Sequence, residues 1–265
     1  MTLEAALPRP TRFSIGRVLG DSIGIFARNA IWLMAVTCAA RAVVLLAPSG
    51  GGAPLPWSDQ MLAYLADLLA SGLGDAAIPL AVMQILKGHR ASIRDVATGL
   101  RFVVPVTIVT VICGLPWTVL IIVNELWESG GGTEDLVRWL VVYAISMVLY
   151  IRWVVATQAN VLERFGALAG LARSARLTKG RRWAVFGVTV IPLIVVYALE
   201  AGSSMLPNIS SDLDATQVST LERATDYVIS ALASAYFAVQ TTVLHYYLRR
   251  EKDGVESGEI AHVFD

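Results

Sequence analysis

Long apolar runs separated by short polar segments dominate the chain. Runs near 29–47, 61–86, 102–124, 136–159, 183–203 and 223–247 carry few charges, and each is long enough, at roughly twenty residues or more, to cross a hydrocarbon core of about 30 Å as a helix. In lipid a spanning segment must satisfy its own backbone hydrogen bonds, which a helix does within a single run. The pattern predicts an all-α polytopic membrane protein: six transmembrane helices in one integral membrane domain, 1–265, with a short tail, 248–265.

The polar segments between the runs alternate in character. Arg9, Arg12, Arg17 and Arg28 precede the first run, and Lys87, Arg90, Arg94 and Arg101 separate the second from the third. Arg164, Arg173, Arg176, Lys179, Arg181 and Arg182 lie between the fourth and fifth, and Arg249, Arg250 and Lys252 follow the sixth. The other loops, near 48–60, 125–135 and 204–222, contain no Lys or Arg, and they hold Gly50-Gly51-Gly52, Gly130-Gly131-Gly132 and several acids. By the positive-inside rule both termini and the basic loops are expected in the cytoplasm. No apolar run with a small-residue cleavage site occurs before Arg28, so the first span is expected to serve as its own uncleaved insertion signal.

Three basic segments look amphipathic immediately before a span. Phe13-Ser14-Ile15-Gly16-Arg17-Val18-Leu19 leads to Asn29-Ala30-Ile31-Trp32, Ser92-Ile93-Arg94-Asp95-Val96 leads to Leu100-Arg101-Phe102, and Leu168 to Leu177 leads to Arg181-Arg182-Trp183. This regular recurrence predicts three repeats of an interfacial helix followed by a transmembrane hairpin. A six-span protein with basic inner loops produces the same period without any repeat.

Composition sharpens the class: 55% of residues are hydrophobic, 16% are charged, and mean hydropathy is +0.61, whereas a soluble domain carries roughly 25% charge. Little polypeptide remains for a soluble domain. Cys38 and Cys113 both fall inside apolar runs and read as small core residues rather than a disulfide framework.

The stretch Arg152-Trp153 through Ala156, Val161-Leu162-Glu163-Arg164, Ala172-Arg173-Ser174-Ala175-Arg176-Leu177-Thr178-Lys179-Gly180-Arg181-Arg182-Trp183 and Phe186-Gly187 resembles the membrane domain of glycerophosphodiester phosphodiesterases and its stand-alone bacterial relatives of the YciC type. Tyr246-Tyr247-Leu248-Arg249, Asp253-Gly254 and Ala261-His262-Val263-Phe264-Asp265 look similar too. The resemblance implies a six-helix protein of the bacterial inner (cytoplasmic) membrane. It does not imply phosphodiesterase activity, because in the fused members that reaction belongs to a separate soluble barrel of about 250 residues, for which this chain has no room. Gly88-His89-Arg90 echoes the start of that enzyme's motif, but the following Gly and the downstream acids are missing.

Candidate chemistry is confined to polar residues within the spans, which are costly in lipid and pair or line cavities. Arg41 and Asp67 each fall roughly 8 Å below the outer surface, and Asp75 and Arg152 roughly 12–16 Å above the inner one, at 1.5 Å per residue. Two intramembrane charge pairs, Arg41 with Asp67 and Asp75 with Arg152, are therefore expected, either as structural ties or as part of an ion or proton path or a site for a lipid head group. Glu163, Glu200, Asp226 and His245 lie near span ends and are expected to be solvated there. Pro79, Pro105, Pro116 and Pro192 interrupt spans and favour kinks, and Ser71, Gly72 and Gly74 let a neighbour approach the second span closely.

Of the three histidines, His89, His245 and His262, none has metal-ligand spacing, and neither a nucleophile elbow nor a phosphate-cradling loop is present. No catalytic residue, metal or cofactor is predicted. Arg173, Arg176, Lys179, Arg181 and Arg182, next to Trp183, are expected to contact anionic lipid on the cytoplasmic side, at about 1 kcal/mol per charge. Nucleic acid is not expected, since membrane orientation accounts for these charges. Three function classes follow, in this order: a non-enzymatic scaffold or accessory subunit contacting lipids, a membrane complex or a second copy of the chain; a transporter or channel for a small solute or ion; and a lipid-processing membrane enzyme.

Overall fold

The computed structural model describes residues 13–46, 56–126, 133–203 and 215–253, and no strand occurs among them. Helices α1 (Ile15–Arg41), α2 (Trp57–Leu86), α3 (Ile93–Gly99), α4 (Val103–Leu126), α5 (Thr133–Trp153), α6 (Ala156–Leu162), α7 (Ala167–Thr178), α8 (Arg182–Ser203) and α9 (Ala215–Asp253) follow one another. Short 3-10 stretches, Ala42–Leu46 and Leu100–Phe102, extend α1 and join α3 to α4. Six segments are long and apolar enough to cross a membrane: Ile15–Leu46, Ser58–Leu86, Ile93–Leu115, Leu140–Leu162, Arg182–Gly202 and Arg223–Asp253. The chain is thus a multi-pass α-helical membrane protein.

α9 lies at the centre. Its Ala231, Ala235 and Ala238 are fully or almost fully buried, and their small side chains allow close helix approach. Around them Val239, Val243, Leu244 and Leu248 pack with Val18 and Leu33 of α1, Ile78 and Val82 of α2, and Val185 and Val188 of α8. α1 runs antiparallel to α9 and is fastened near both of its ends. Tyr247 donates to Asp21 Oδ2 at 2.5 Å, and Tyr227 donates to the Cys38 carbonyl at 2.5 Å. Phe26 and Tyr236 meet edge to face between them.

α2 also contacts α4 closely. A Cβ on Gly72 would lie 2.8 Å from Thr107 Oγ1, so the small-residue stretch read in the second span does bring a neighbour close. α3 begins with a capping box in which Ser92 and Asp95 satisfy each other's backbone N–H groups. It packs on α2 so tightly that a Cβ on Gly99 would lie 2.2 Å from the Ala76 carbonyl oxygen.

The amphipathic segments take three different forms, and the expected repeat organisation is not confirmed. The first does not form a separate helix: Ser14 caps α1, and the helix runs unbroken from there into the span, starting well before residue 29. The second is short α3 with its 3-10 extension, whereas the third, α7, is separate from α8. α7 buries Gly170, Leu171, Ser174, Leu177 and Thr178 on one stripe, which is the helical spacing of a packed face. α9, the sixth span, extends to Asp253, into the stretch expected as a tail, and residues 254–265 lie outside the described residues.

The fourth apolar run is two helices. α5 ends at Trp153 and α6 starts at Ala156, with Val155 at φ −107 and ψ 16 between them. Backbone groups freed by such a break need new partners in lipid, and α7 supplies them. Ser174 Oγ donates to the Arg152 carbonyl at 3.0 Å and accepts from the Val155 N–H at 3.3 Å, and Thr178 Oγ1 donates to the same carbonyl at 3.4 Å. A Cβ on Gly170 would meet Asn160 Oδ1 at 1.8 Å, so glycine is what lets α7 lie against α6.

Candidate functional site

The break in the fourth run faces a cavity of about 400 Å³ inside the bundle. α2 lines it with Tyr64, Asp67, Ser71 and Asp75, α4 with Thr110, Cys113 and Gly114, and α5 with Tyr150 and Trp153. Val154 at the break, Thr157 and Gln158 of α6, and Ser234, Phe237 and Thr241 of α9 complete the wall.

Asp75 is the charged group deep in this wall. It is partly exposed, and the cavity is what it faces. No ion pair or hydrogen bond reaches its carboxyl among the described residues. Four residues on, Pro79 lies inside the helix and has no N–H to offer the Asp75 carbonyl. An uncompensated carboxylate in a membrane interior is costly, and a cation or a proton removes that cost.

Hydroxyl and amide groups lie on the side of Asp75 toward the basic loops. Gln158 Nε2 donates to Thr241 Oγ1 at 2.7 Å, and Thr157 Oγ1 donates to Gln158 Oε1 at 2.9 Å. At the opposite end, Arg41 Nη2 donates to Asp67 Oδ1 at 2.6 Å and Nη1 to Ser234 Oγ at 3.1 Å. The Arg41 side chain is 8% exposed and that of Asp67 46%. This ion pair ties α1, α2 and α9 at that end of the cavity.

The second expected pair does not form. Arg152 is exposed, and neither it nor Asp75 makes an ion pair among the described residues. Depth along a helix is set by residue number, but the direction of a side chain is set by helix rotation, and here Arg152 points out of the bundle while Asp75 points in.

A further charged cluster, one helical turn beyond Thr241 along α9, was not expected as a unit. His245 is fully buried, and its Nε2 lies 2.8 Å from Glu163 Oε1. The expectation that His245 and Glu163 are solvated at span ends is thereby corrected: after the break, α6 delivers Glu163 inward against α9. Arg173 Nε donates to Glu163 Oε2 at 2.9 Å, and its Nη groups hold Asp253. Burial of Glu163 works against its ionised form, but the hydrogen bond and charge of His245, together with those of Arg173, outweigh it and hold the carboxyl below its usual range.

The residues expected at anionic lipid divide in two. Arg173 is engaged as described, with its side chain 15% exposed, and Arg181 Nε donates to Glu251 Oε1 at 2.9 Å. Arg176, Lys179 and Arg182 are exposed and make no ion pair among the described residues, and Trp183 beside them is 86% exposed. No group of His, Cys, Asp and Glu suited to a metal ion occurs among the described residues.

No protein-family model, curated protein or solved structure matches the chain.

Proposed function

We propose that the chain is a membrane transporter or channel that takes a small cationic solute into the cavity between α2, α4, α5, α6 and α9. The observation that carries this reading is Asp75: a carboxyl with no ion pair or hydrogen bond among the described residues, facing a cavity within the spans. The geometry has the usual parts of a solute site in a bundle. A helix is broken at the cavity, a proline follows the charged residue by one turn, and the wall mixes aromatic rings with a few convergent polar groups. Tyr150, Trp153 and Phe237 offer ring faces that attract a cation. The volume is that of a small organic molecule. A purely structural bundle has no need of this cavity, so the transport reading stands ahead of the scaffold reading on this point.

The test is thermal unfolding of the detergent-solubilised protein against a panel of small amines, quaternary ammonium ions and inorganic cations. A ligand of the native state at a hundred times its Kd stabilises by about 2.7 kcal/mol. At least one cation is expected to raise Tm for the native protein and to lose that effect in Asp75→Asn. A flat response across the panel would remove the basis of the proposal.

A second reading, a scaffold or accessory subunit anchored to anionic lipid in a bacterial inner membrane, is supported by exposed Arg176, Lys179 and Arg182 beside Trp183. Native mass spectrometry of the protein extracted from its own membrane tests it. A stoichiometric partner subunit supports the accessory role, and a lone protein that keeps a small solute contradicts it.

A further inference from the structure

Two sets of polar groups lie between the cavity and the basic end of the bundle, one helical turn apart along α9. The first is Gln158 hydrogen-bonded to Thr241 at 2.7 Å, in the cavity wall beside the helix break. The second begins four residues further along α9 with His245, whose Nε2 meets Glu163 at 2.8 Å, and continues through Arg173 to Asp253. With Glu163 ionised, Nε2 carries the hydrogen. That leaves Nδ1 as an acceptor in the neutral ring or a donor in the imidazolium. Nδ1 is buried without a partner among the described residues, a position in which a buried nitrogen is costly unless it exchanges a hydrogen bond.

We infer that cation binding at Asp75 is coupled to release of a proton, and that the buried His245–Glu163 pair carries this proton to the basic end. The inference rests on the transport reading above and names the ion exchanged. A proton and a cation compete for the same carboxylate. When the cation enters, the O–H bond of the Asp75 acid breaks, and its electron pair stays on the carboxylate, which is then balanced by the cation. His245 takes up the proton at Nδ1, and the imidazolium gives up its Nε2 proton toward Glu163 and the solvent. The buried carboxyl is neutralised before and after, so neither state holds an unpaired charge at that depth.

The charged surroundings fit this assignment. Around Asp75, α4 contributes Cys113 and α5 Tyr150, α2 itself contributes Asp67 further along, and α6 and α9 contribute the neutral Thr157, Gln158, Ser234 and Thr241. Among the described residues no basic group there replaces the proton or the cation. Around His245 stand Glu163, Arg173 of α7, and Arg249 and Asp253 of α9, the last two 3.9 Å apart. Asp21 of α1 is engaged with Tyr247, and Arg181, just before α8, with Glu251.

The probe is benzyltrimethylammonium, which has a permanent charge and an aromatic body and no proton of its own to give. Any proton released comes from the protein. Binding is followed by tryptophan fluorescence, and release by an indicator dye in weakly buffered detergent solution. The expected result is close to one proton released per cation bound, with affinity weakening roughly tenfold per pH unit where the two compete. Asp75→Asn is expected to abolish both. His245→Gln is expected to leave affinity and stoichiometry in place while slowing release by about tenfold or more in stopped flow, as for loss of a positioned proton carrier. Glu163→Gln interrupts the path on the solvent side, away from the cavity wall, and gives the same readout if His245→Gln does not fold. No saturable binding defeats the transport reading. Binding without proton release defeats the coupling while leaving that reading in place, and unchanged release rates in both path variants defeat the route.

Discussion

Glu163 Oε1 and His245 Nε2 lie 2.8 Å apart, joining the residue after α6 to the C-terminal part of α9 through side chains that are 9% and 0% exposed. Arg173 holds the second oxygen of the same carboxylate. This contact makes a charged connection between the broken fourth span and the central helix, and it predicts a specific acid response. A carboxyl held below its ordinary value of 4.5 stabilises the fold fully above that pH, and the contribution disappears as pH falls through the lowered folded value. Thermal unfolding from neutral pH downward is expected to show this loss. Glu163→Gln is expected to cost on the order of 1–3 kcal/mol at neutral pH and to flatten the acid limb. Identical acid limbs in the two proteins would exclude Glu163 as its source.

The Arg41–Asp67 pair predicts an asymmetric mutant cycle. Asp67→Asn strands a guanidinium whose side chain is only 8% exposed, whereas Asp67 itself is 46% exposed, so the cost is that of a partly screened pair, about 1–2 kcal/mol. Replacing both residues, as Arg41→Met with Asp67→Leu, is expected to restore part of that loss, since no buried charge then remains. A double mutant less stable than either single variant would show that the ion pair is not the source of the effect.

Glycine contacts predict an order of sensitivity. A Cβ at Gly99 meets a backbone carbonyl of α2, but one at Gly170 meets the end of the Asn160 side chain. The nearest backbone contact at Gly170, the Ala156 carbonyl oxygen at 3.1 Å, is looser than the 2.2 Å one at Gly99, and the rest of the clash falls on the Asn160 side chain. Gly99→Ala is expected to cost about 1–3 kcal/mol, the usual range of overpacking, and Gly170→Ala less, when both are compared by thermal unfolding.

Arg152 provides the contrasting case. Its exposed, unpaired side chain predicts that Arg152→Gln shifts stability by no more than about 0.5 kcal/mol and leaves cation binding unchanged. Loss of binding in Arg152→Gln would mean that this side chain reaches the cavity in some working state.

The sequence made the spans legible because the cost of exposing polar groups to lipid enforces long apolar runs. It made the Arg41–Asp67 tie legible because the two residues sit at one depth on adjacent spans. Asp75 stood out for the same reason, as a charge in an apolar run, but its true surroundings did not. Residue number gives depth alone, and which neighbour a side chain meets depends on how six helices rotate against each other. The break after Trp153 was hidden for another reason. Trp153-Val154-Val155-Ala156 contains neither Pro nor Gly, and the hydrogen bonds that stabilise the break come from Ser174 and Thr178, on a helix that read as interfacial. With the fourth run read as one straight helix, Glu163 and His245 appear only as span ends. The amphipathic stripe of α7 was the one available signal: Gly170, Ser174 and Thr178, small and polar at helical spacing, mark a face that packs on protein as well as on lipid.

The most direct measurement is uptake of radiolabelled benzyltrimethylammonium into liposomes containing the purified protein, with protein-free liposomes as the baseline. The account predicts saturable uptake driven by an opposing proton gradient, abolished in Asp75→Asn and retained in Arg152→Gln. Uptake no greater than the baseline, or equal in the native protein and Asp75→Asn, would contradict it.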